Sequence, residues 1–393
     1  MIPSREPGPA AAVTVGLSGG VDSAVAALLL KRQGYEVSGV FMKNWEDDDS
    51  EDYCPARADL IDAVAVAERI GIEVDVVNFT AEYRERVFAS FLMDVGEGRT
   101  PNPDVVCNRE VKFKLFLDHA LARGAERIVT GHYARIARQG GRYRLLKGVD
   151  RDKDQSYFLY TLGQAELGRG LFPLGGLTKP EVRRLAREAC LSVHDKRDST
   201  GICFIGERPF QAFLARYLAP RPGEIRTVAG ETVGEHPGVF YFTLGQRAGL
   251  RIGGVAGAAE SPWYVVAKDL DNDVLVVAQG HDHPLLMSRA LTATELSWVG
   301  GTTPALPCAC SAKTRYRQPD QACAIVALEA GRARVVFEEP QRAVTPGQAV
   351  VLYQGEECLG GGTIASTERL APSALNRADG SRHDRRHSSA CKD

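Results

Sequence analysis

Gly16-Leu17-Ser18-Gly19-Gly20-Val21-Asp22-Ser23 is the stretch on which the reading of this chain turns. It follows a small apolar run, Ala12 to Leu17, that reads as a strand. It opens a second run, Asp22 to Gln33, that reads as a helix closed by Gly34. A strand passing through two adjacent glycines into a helix lets the backbone approach an anion closely. Backbone amides, the helix N-terminus and the hydroxyls of Ser18 and Ser23 then converge on it. The Gly-Lys-Ser/Thr of a Walker loop does not follow at the required spacing. A Gly-Gly pair alone would read as a tight turn. Ser-Gly-Gly-x-Asp-Ser at a strand–helix junction reads as a phosphate loop.

Working outward, strand and helix patterns alternate. Strands are expected over Glu36 to Met42, Ile72 to Phe79 and Glu126 to Gly131, and helices over Ala56 to Ile70, Ala81 to Val95 and Arg109 to Arg123. Such alternation implies right-handed crossovers and an α/β doubly wound parallel sheet. Beyond it the grammar changes. Ala134 to Lys147 reads as a hairpin around Gln139-Gly140-Gly141, and Gln155 to Leu167 and Thr178 to Cys190 read as helices, the latter opening on a Thr178/Glu181 capping box. Short β runs fill the Gly-rich stretch from Gly223 to Gln279, and those from Ala290 to Thr367 suggest a small antiparallel barrel. The expected organisation is a leader (1–11), a catalytic domain (12–207), a small central domain (208–284), a C-terminal β-barrel (285–369) and a polar tail (370–393), with both ends disordered.

Bulk properties exclude several classes. The chain has 393 residues, 44% hydrophobic and 25% charged, enough for two or three domains and ordinary for a globular protein. A net charge of −2 gives no global nucleic-acid signal, so any RNA contact must come from local basic patches. No segment approaches the roughly 18 uninterrupted apolar residues of a membrane helix, and the start lacks a signal-peptide core, which points to the cytoplasm. Nine cysteines in a chain of this length are not a disulfide scaffold.

Two of those cysteines stand out. Cys107 ends the proline-braced stretch Thr100-Pro101-Asn102-Pro103-Asp104-Val105-Val106-Cys107, just before the expected helix at Arg109, where amide dipoles favour thiolate. Cys203 lies in Ser199-Thr200-Gly201-Ile202-Cys203-Phe204, another Gly-flanked loop. Each could equally be a buried packing residue. Cys308 and Cys310 have the wrong spacing for a zinc knuckle and no completing Cys/His pair. Cys190 and Cys323 read as residues of apolar helix or strand faces. Cys54 and Cys358 carry no assignment, and Cys391 falls in the tail.

Taken in order, Ser18 to Ser23, Phe41-Met42-Lys43-Asn44-Trp45, Asn102-Pro103-Asp104 with Cys107-Asn108, Gly131-His132-Tyr133, Asp152 to Ser156 and Ser199 to Cys203 resemble the tRNA-specific 2-thiouridylases, which modify the wobble uridine and belong to the pyrophosphate-loop ATPases. The likeness runs from about Val13 through Arg315-Tyr316-Arg317 and Gly347-Gln348. It implies that ATP binds at Gly16, Leu17, Ser18, Gly19, Gly20, Val21, Asp22 and Ser23, with Met42 and Gly131 near the adenosine. Mg²⁺ would accompany it, Asp22 being the obvious carboxylate, although no protein ligand set for a metal is assigned. The uridine 2-oxygen would be adenylated and then replaced by sulfur from a persulfide on Cys203. Cys107 would be the second catalytic thiol, whether it releases sulfide and leaves a Cys107–Cys203 disulfide or assists direct attack. Asp104 is the nearest carboxylate to Cys107 in sequence, an acid/base candidate or else a turn cap. The resemblance also implies that Asn102, Pro103 and Asp104 meet the target base, and that His132, Lys153, Asp154, Gln155, Arg315, Tyr316 and Gln348 meet tRNA. The basic run Lys313 to Arg317 has the alternative reading of a solvated edge strand. Implied partners are tRNAs for Lys, Glu and Gln, and a sulfur-relay protein or cysteine desulfurase. The rival readings are another pyrophosphate-loop tRNA thiolase or adenylating ligase, and a non-enzymatic tRNA-binding or sulfur-relay protein.

Overall fold

The computed structural model describes residues 11–46, 55–198, 210–253 and 261–370. The expected leader, the tail beyond Leu370, Cys54, Cys203 and Cys391 lie outside the described residues.

The chain starts with β1 (Ala12–Gly16), α1 (Val21–Arg32), β2 (Glu36–Lys43), α2 (Pro55–Ile70) and β3 (Val74–Asn78). Two long helical stretches, 80–96 and 103–122, come next, each with a π-helical segment inside it (Arg84–Phe88 and Asn108–Leu115). β4 (Arg127–Val129) follows, then the hairpin β5 (Ala134–Gln139) and β6 (Arg142–Lys147), and later β7 (Gly170–Leu171). Strands β3-β2-β1-β4-β7 form one sheet, in that order and all parallel. The expected doubly wound sheet is therefore present. Val13 and Val15 of β1 are buried from both faces' helices, as a central parallel strand requires.

The second half holds two further sheets. β8 (Gly223–Thr227), β9 (Thr232–His236), β10 (Trp263–Asp269) and β11 (Val274–Gln279) build a four-stranded sheet. β12 (Met287–Trp298), β13 (Cys308–Lys313), β14 (Gln321–Glu329), β15 (Arg332–Arg342), β16 (Ala349–Gln354) and β17 (Glu357–Arg369) close into a six-stranded antiparallel barrel, because β12 pairs with both β15 and β17. The hairpin forms as expected, but β6 hydrogen-bonds β17, so it extends the barrel's sheet. One core cluster gathers Phe113 and Phe116, Ile225 and Val265 of the four-stranded sheet, and Val351 and Tyr353 of the barrel.

Several local expectations need correction. The helix expected from Arg109 begins at Pro103, with Asn102 as its N-cap, because a proline's fixed φ suits the first turn. Cys107 is thus inside the helix and not ahead of it. The helix expected over Gln155 to Leu167 is broken at Gly163 into a 3-10 turn, Ser156–Leu159, and the helix Gln164–Arg169. Cys190 is exposed at φ +53 just past the Lys179–Glu188 helix, not on its apolar face. The edge-strand alternative for Lys313 to Arg317 is also excluded: β13 is paired on both sides, and the chain turns after Lys313.

Candidate active site

Strand order reverses beside β1, and in such sheets the ligand crevice opens past the carboxyl ends of the strands at that point. Two loops meet there. Leu17 to Gly20 leaves β1 and Gly20 caps α1. Gly19 has φ +70, and a Cβ there would stand 2.3 Å from the Asp59 carbonyl oxygen, so a side chain does not fit. The Ser18 amide donates to Ser23 Oγ at 3.2 Å, the two hydroxyls lie 3.2 Å apart, and Ser23 Oγ donates to the Gly20 carbonyl at 3.1 Å. Lys196 braces the loop from outside, donating to the Gly19 carbonyl at 2.9 Å and to Asp59 at 2.7 Å.

The second loop follows β4. A Cβ on Gly131 would lie 2.9 Å from the Ser23 amide nitrogen and from the Asp22 carbonyl carbon, so only glycine lets this loop lie against the first turn of α1. Met42, at the end of β2, is buried with its methyl group over Gly16. Packing accounts for its place beside the loop.

An ion-pair network that the sequence reading missed lines the mouth of this crevice. Lys179 Nζ donates to both carboxylate oxygens of Asp22 at 2.8 Å and pairs with Asp198 at 2.7 Å. Tyr133 OH donates to Asp22 at 2.8 Å, and burial, then the Asp22 charge, pushes that phenol far above its usual range. Asp198 also receives Lys153 at 2.7 Å and Arg183 at 3.0 Å. Partial burial would push the Asp198 carboxyl up, but the hydrogen bonds from Lys153 and Lys179 outweigh it and hold the pKa at about 2. The available signal was the Thr178/Glu181 capping box, which forms as expected and positions Lys179 at the helix start.

The residues expected at tRNA divide into two sets. Lys153, Gln155, Arg315 and Tyr316 come together: the Tyr316 ring sits 4.4 Å from Phe158 and its hydroxyl donates to the Lys153 carbonyl at 3.4 Å. Gln155 brackets Tyr133, its side chain accepting from the Tyr133 amide at 3.0 Å. Arg315 donates to the carbonyls of Leu244 and Ala343, and burial depresses its pKa. His132 and Asp154, by contrast, are both buried. His132 packs against Phe113 and Phe172, bonds Thr130 at 2.7 Å, and is held neutral by burial and then by Lys112. Asp154 accepts from the Gly148 and Ser156 amides at 3.0 and 3.1 Å and shapes its own loop. Neither side chain offers a face to RNA in this conformation.

Cys107 is 0% exposed and belongs to the main core cluster. Asp104 stands in the first turn of the same helix. The strap ahead of that helix is held by the barrel: Gln348 Nε2 donates to the Thr100 carbonyl at 2.7 Å, and the Thr100 amide donates to the Pro346 carbonyl at 3.0 Å. Beside it lies a cavity of about 410 Å³, walled by Asn102, Val105, Arg109, Tyr160, Glu295 and Gly347 among others. Cys107 is not on its wall. The Cys203 position lies outside the described residues, so no distance joins the two thiols.

Comparison with known proteins agrees with this architecture. The model described as tRNA methyl transferase HUP domain matches residues 11–207, its PRC-barrel counterpart 211–279, and an aminomethyltransferase beta-barrel domain 288–364. The tRNA-specific 2-thiouridylase MnmA of Methylobacillus flagellatus is 58% identical over 354 residues, 90% of this chain and 98% of that protein. The chain belongs to the tRNA-specific 2-thiouridylase family. Its members are tRNA-uridine sulfurtransferases, enzymes of the transferase class. The 2-thiouridylase of Methylococcus capsulatus is 59% identical over 357 residues, covering 90% of this chain and 96% of that protein. Among solved structures, a 4-thiouridine synthetase–RNA complex with bound ATP aligns at a TM-score of 0.33 and 17% identity, over 52% of this chain and 50% of the other, a likeness too slight to build on. Among the described residues of this 2-thiouridylase, no helix is long and apolar enough to cross a membrane.

Proposed function

We propose that this 2-thiouridylase binds ATP at Gly16 to Ser23, adenylates the 2-oxygen of a tRNA wobble uridine, and replaces that oxygen with sulfur, giving 2-thiouridine, AMP and pyrophosphate. The observation that carries the reading is the crevice where the Ser18/Ser23 loop and Gly131 meet, with Lys179 poised between Asp22 and Asp198. Hydroxyls, the first amides of α1 and a nearby ammonium suit the phosphates of ATP, and Met42 and Gly131 border the adenosine side. The partly exposed oxygens of Asp22 are hard donors that fit Mg²⁺. When bound, that ion would supply charge neutralisation at the phosphates.

The uridine oxygen attacks the α-phosphorus and expels pyrophosphate, which converts a poor leaving group into AMP. Sulfur arrives as a persulfide on Cys203, supplied by a relay protein or a cysteine desulfurase. Two routes then fit the residues. Cys107 displaces sulfide from Cys203, leaving a disulfide that a reductant must reopen, or the persulfide attacks the base directly with Cys107 assisting. Either route requires the fully buried Cys107 to become reachable, so the helix entry at Asn102, Pro103 and Asp104 must open when the base is splayed out of the anticodon loop. Asp104 is the acid/base candidate there. Lys153, Gln155, Arg315, Tyr316 and Gln348 support the tRNA side, and His132 and Asp154 act by positioning. The substrates are tRNAs for Lys, Glu and Gln, and the setting is cytoplasmic. The domain plan of 12–207, 208–284 and 285–369 assigns adenylation to the first unit and RNA support to the other two.

The deciding experiment separates the two half-reactions. Cys203→Ala should abolish 2-thiouridine in nucleoside analysis yet retain tRNA-dependent pyrophosphate release, because the phosphate loop is untouched. Absence of pyrophosphate release from the folded variant would sink this division of labour.

A further inference from the structure

The barrel wall holds a second set of thiols that the proposed chemistry does not use. Cys308 and Cys310 lie on β13, and Cys323 lies on β14. In the antiparallel register Cys310 stands opposite Cys323, and Cys308 stands opposite Ile325. All three pack on the barrel core, with Cys323 buried and the other two half-buried. The sulfurs of Cys310 and Cys323 are 3.6 Å apart.

Directly opposed residues of antiparallel strands have Cα atoms about 4.5–5.5 Å apart, inside the range of about 4.4–6.8 Å that disulfides span. Torsion of two side chains can therefore bring these sulfurs to bonding distance without sliding the strands. The sulfur–sulfur hydrogen bond makes the members unequal. It lowers the pKa of Cys310, and it raises that of Cys323, which burial raises further. Cys310 is also the more accessible of the two, the sulfur an incoming reagent can reach.

We propose that Cys310 and Cys323 form an oxidisable dithiol, a site for thiol–disulfide exchange with low-molecular-weight disulfides such as oxidised glutathione. The Cys310 thiolate attacks one sulfur of the small disulfide, breaks its S–S bond and releases one thiolate, which takes up a proton. Cys323 then gives its proton to solvent and attacks the Cys310 sulfur of the mixed disulfide, releasing the second small thiol. Two protein thiols lose two electrons and one disulfide is reduced to two thiols. The new bond staples the middle of the paired stretch of the β13–β14 hairpin, whose turn carries Arg315 and Tyr316. The inference stands apart from the ATP chemistry, since no step involves Cys107 or Cys203.

The test uses the full chain, reduced, freed of reductant, incubated with oxidised glutathione, alkylated, and digested without reduction for mass-spectrometric mapping. A peptide pair joined through Cys310 and Cys323 is expected, reversed by dithiothreitol, absent from Cys310→Ser and retained in Cys308→Ser. A link between Cys107 and Cys203 maps to other peptides and is scored separately. Full alkylation of Cys323 after the incubation, or a Cys310–glutathione adduct that never resolves in the folded protein, would overturn the proposal.

Discussion

At the residue scale, the site depends on close approach and on charge held by charge. Gly131→Ala places a methyl group 2.9 Å from the Ser23 amide nitrogen, against backbone that cannot move without deforming α1. Pyrophosphate release should fall at least tenfold, while far-ultraviolet circular dichroism stays near wild type. The Asp198 carboxyl, with its ordinary pKa of 3.8, is held at about 2 by its lysines, so the unfolded chain binds the proton first as pH falls. Its stabilising contribution is complete above the ordinary value and is lost as pH falls through the depressed one. Melting temperature should therefore drop between roughly pH 5 and pH 2, and drop less in Lys179→Met, which lacks one of those lysines. Equal acid sensitivity in the two proteins would refute this. The turn at Ser18 to Ser23 was legible because each of its residues serves a local need of a strand–helix junction. Lys179 was not. Its role depends on a helix start folding back onto Asp22 from 157 residues away in the chain.

At the scale of elements, the strap 99–102 is fixed from the far side by the barrel. Gln348→Ala removes the donors to Thr100 and Pro101, at a cost of about 1 kcal/mol in folding stability. The kinetic loss should be larger, expressed as a raised KM for tRNA, since the strap leads into the helix that carries Cys107. A KM equal to wild type would confine Gln348 to stability. Parallel strands, the hairpin and the barrel were readable from alternation and turn residues. The true helix start at Pro103 was harder, because Asn102-Pro103-Asp104 scores equally as a loop and as a capped first turn. Trp45 illustrates the same limit: it read as part of a family motif, whereas its ring is anchored by Phe88 at 4.8 Å and Phe213 at 6.0 Å, linking the 80–96 helix to the segment after residue 209.

For the whole molecule, one core cluster runs through the parallel sheet, the four-stranded sheet and the barrel. Scanning calorimetry should accordingly show one cooperative transition, with calorimetric and van't Hoff enthalpies in agreement; two resolved endotherms would mean that the units melt independently. The joinery of these sheets was not legible in the sequence, since pairing between strands distant in sequence leaves no periodic mark. The hairpin 134–147 shows what that joinery entails. Lys147 donates its amide to the Glu356 carbonyl, and its ammonium lies 4.2 Å over the Tyr353 ring, so a ribbon encoded within the nucleotide-binding half is a physical part of the barrel. Anyone grafting the barrel of one relative onto the catalytic half of another must carry this ribbon across with it, because a junction placed anywhere after residue 207 leaves mismatched halves facing each other along a seam.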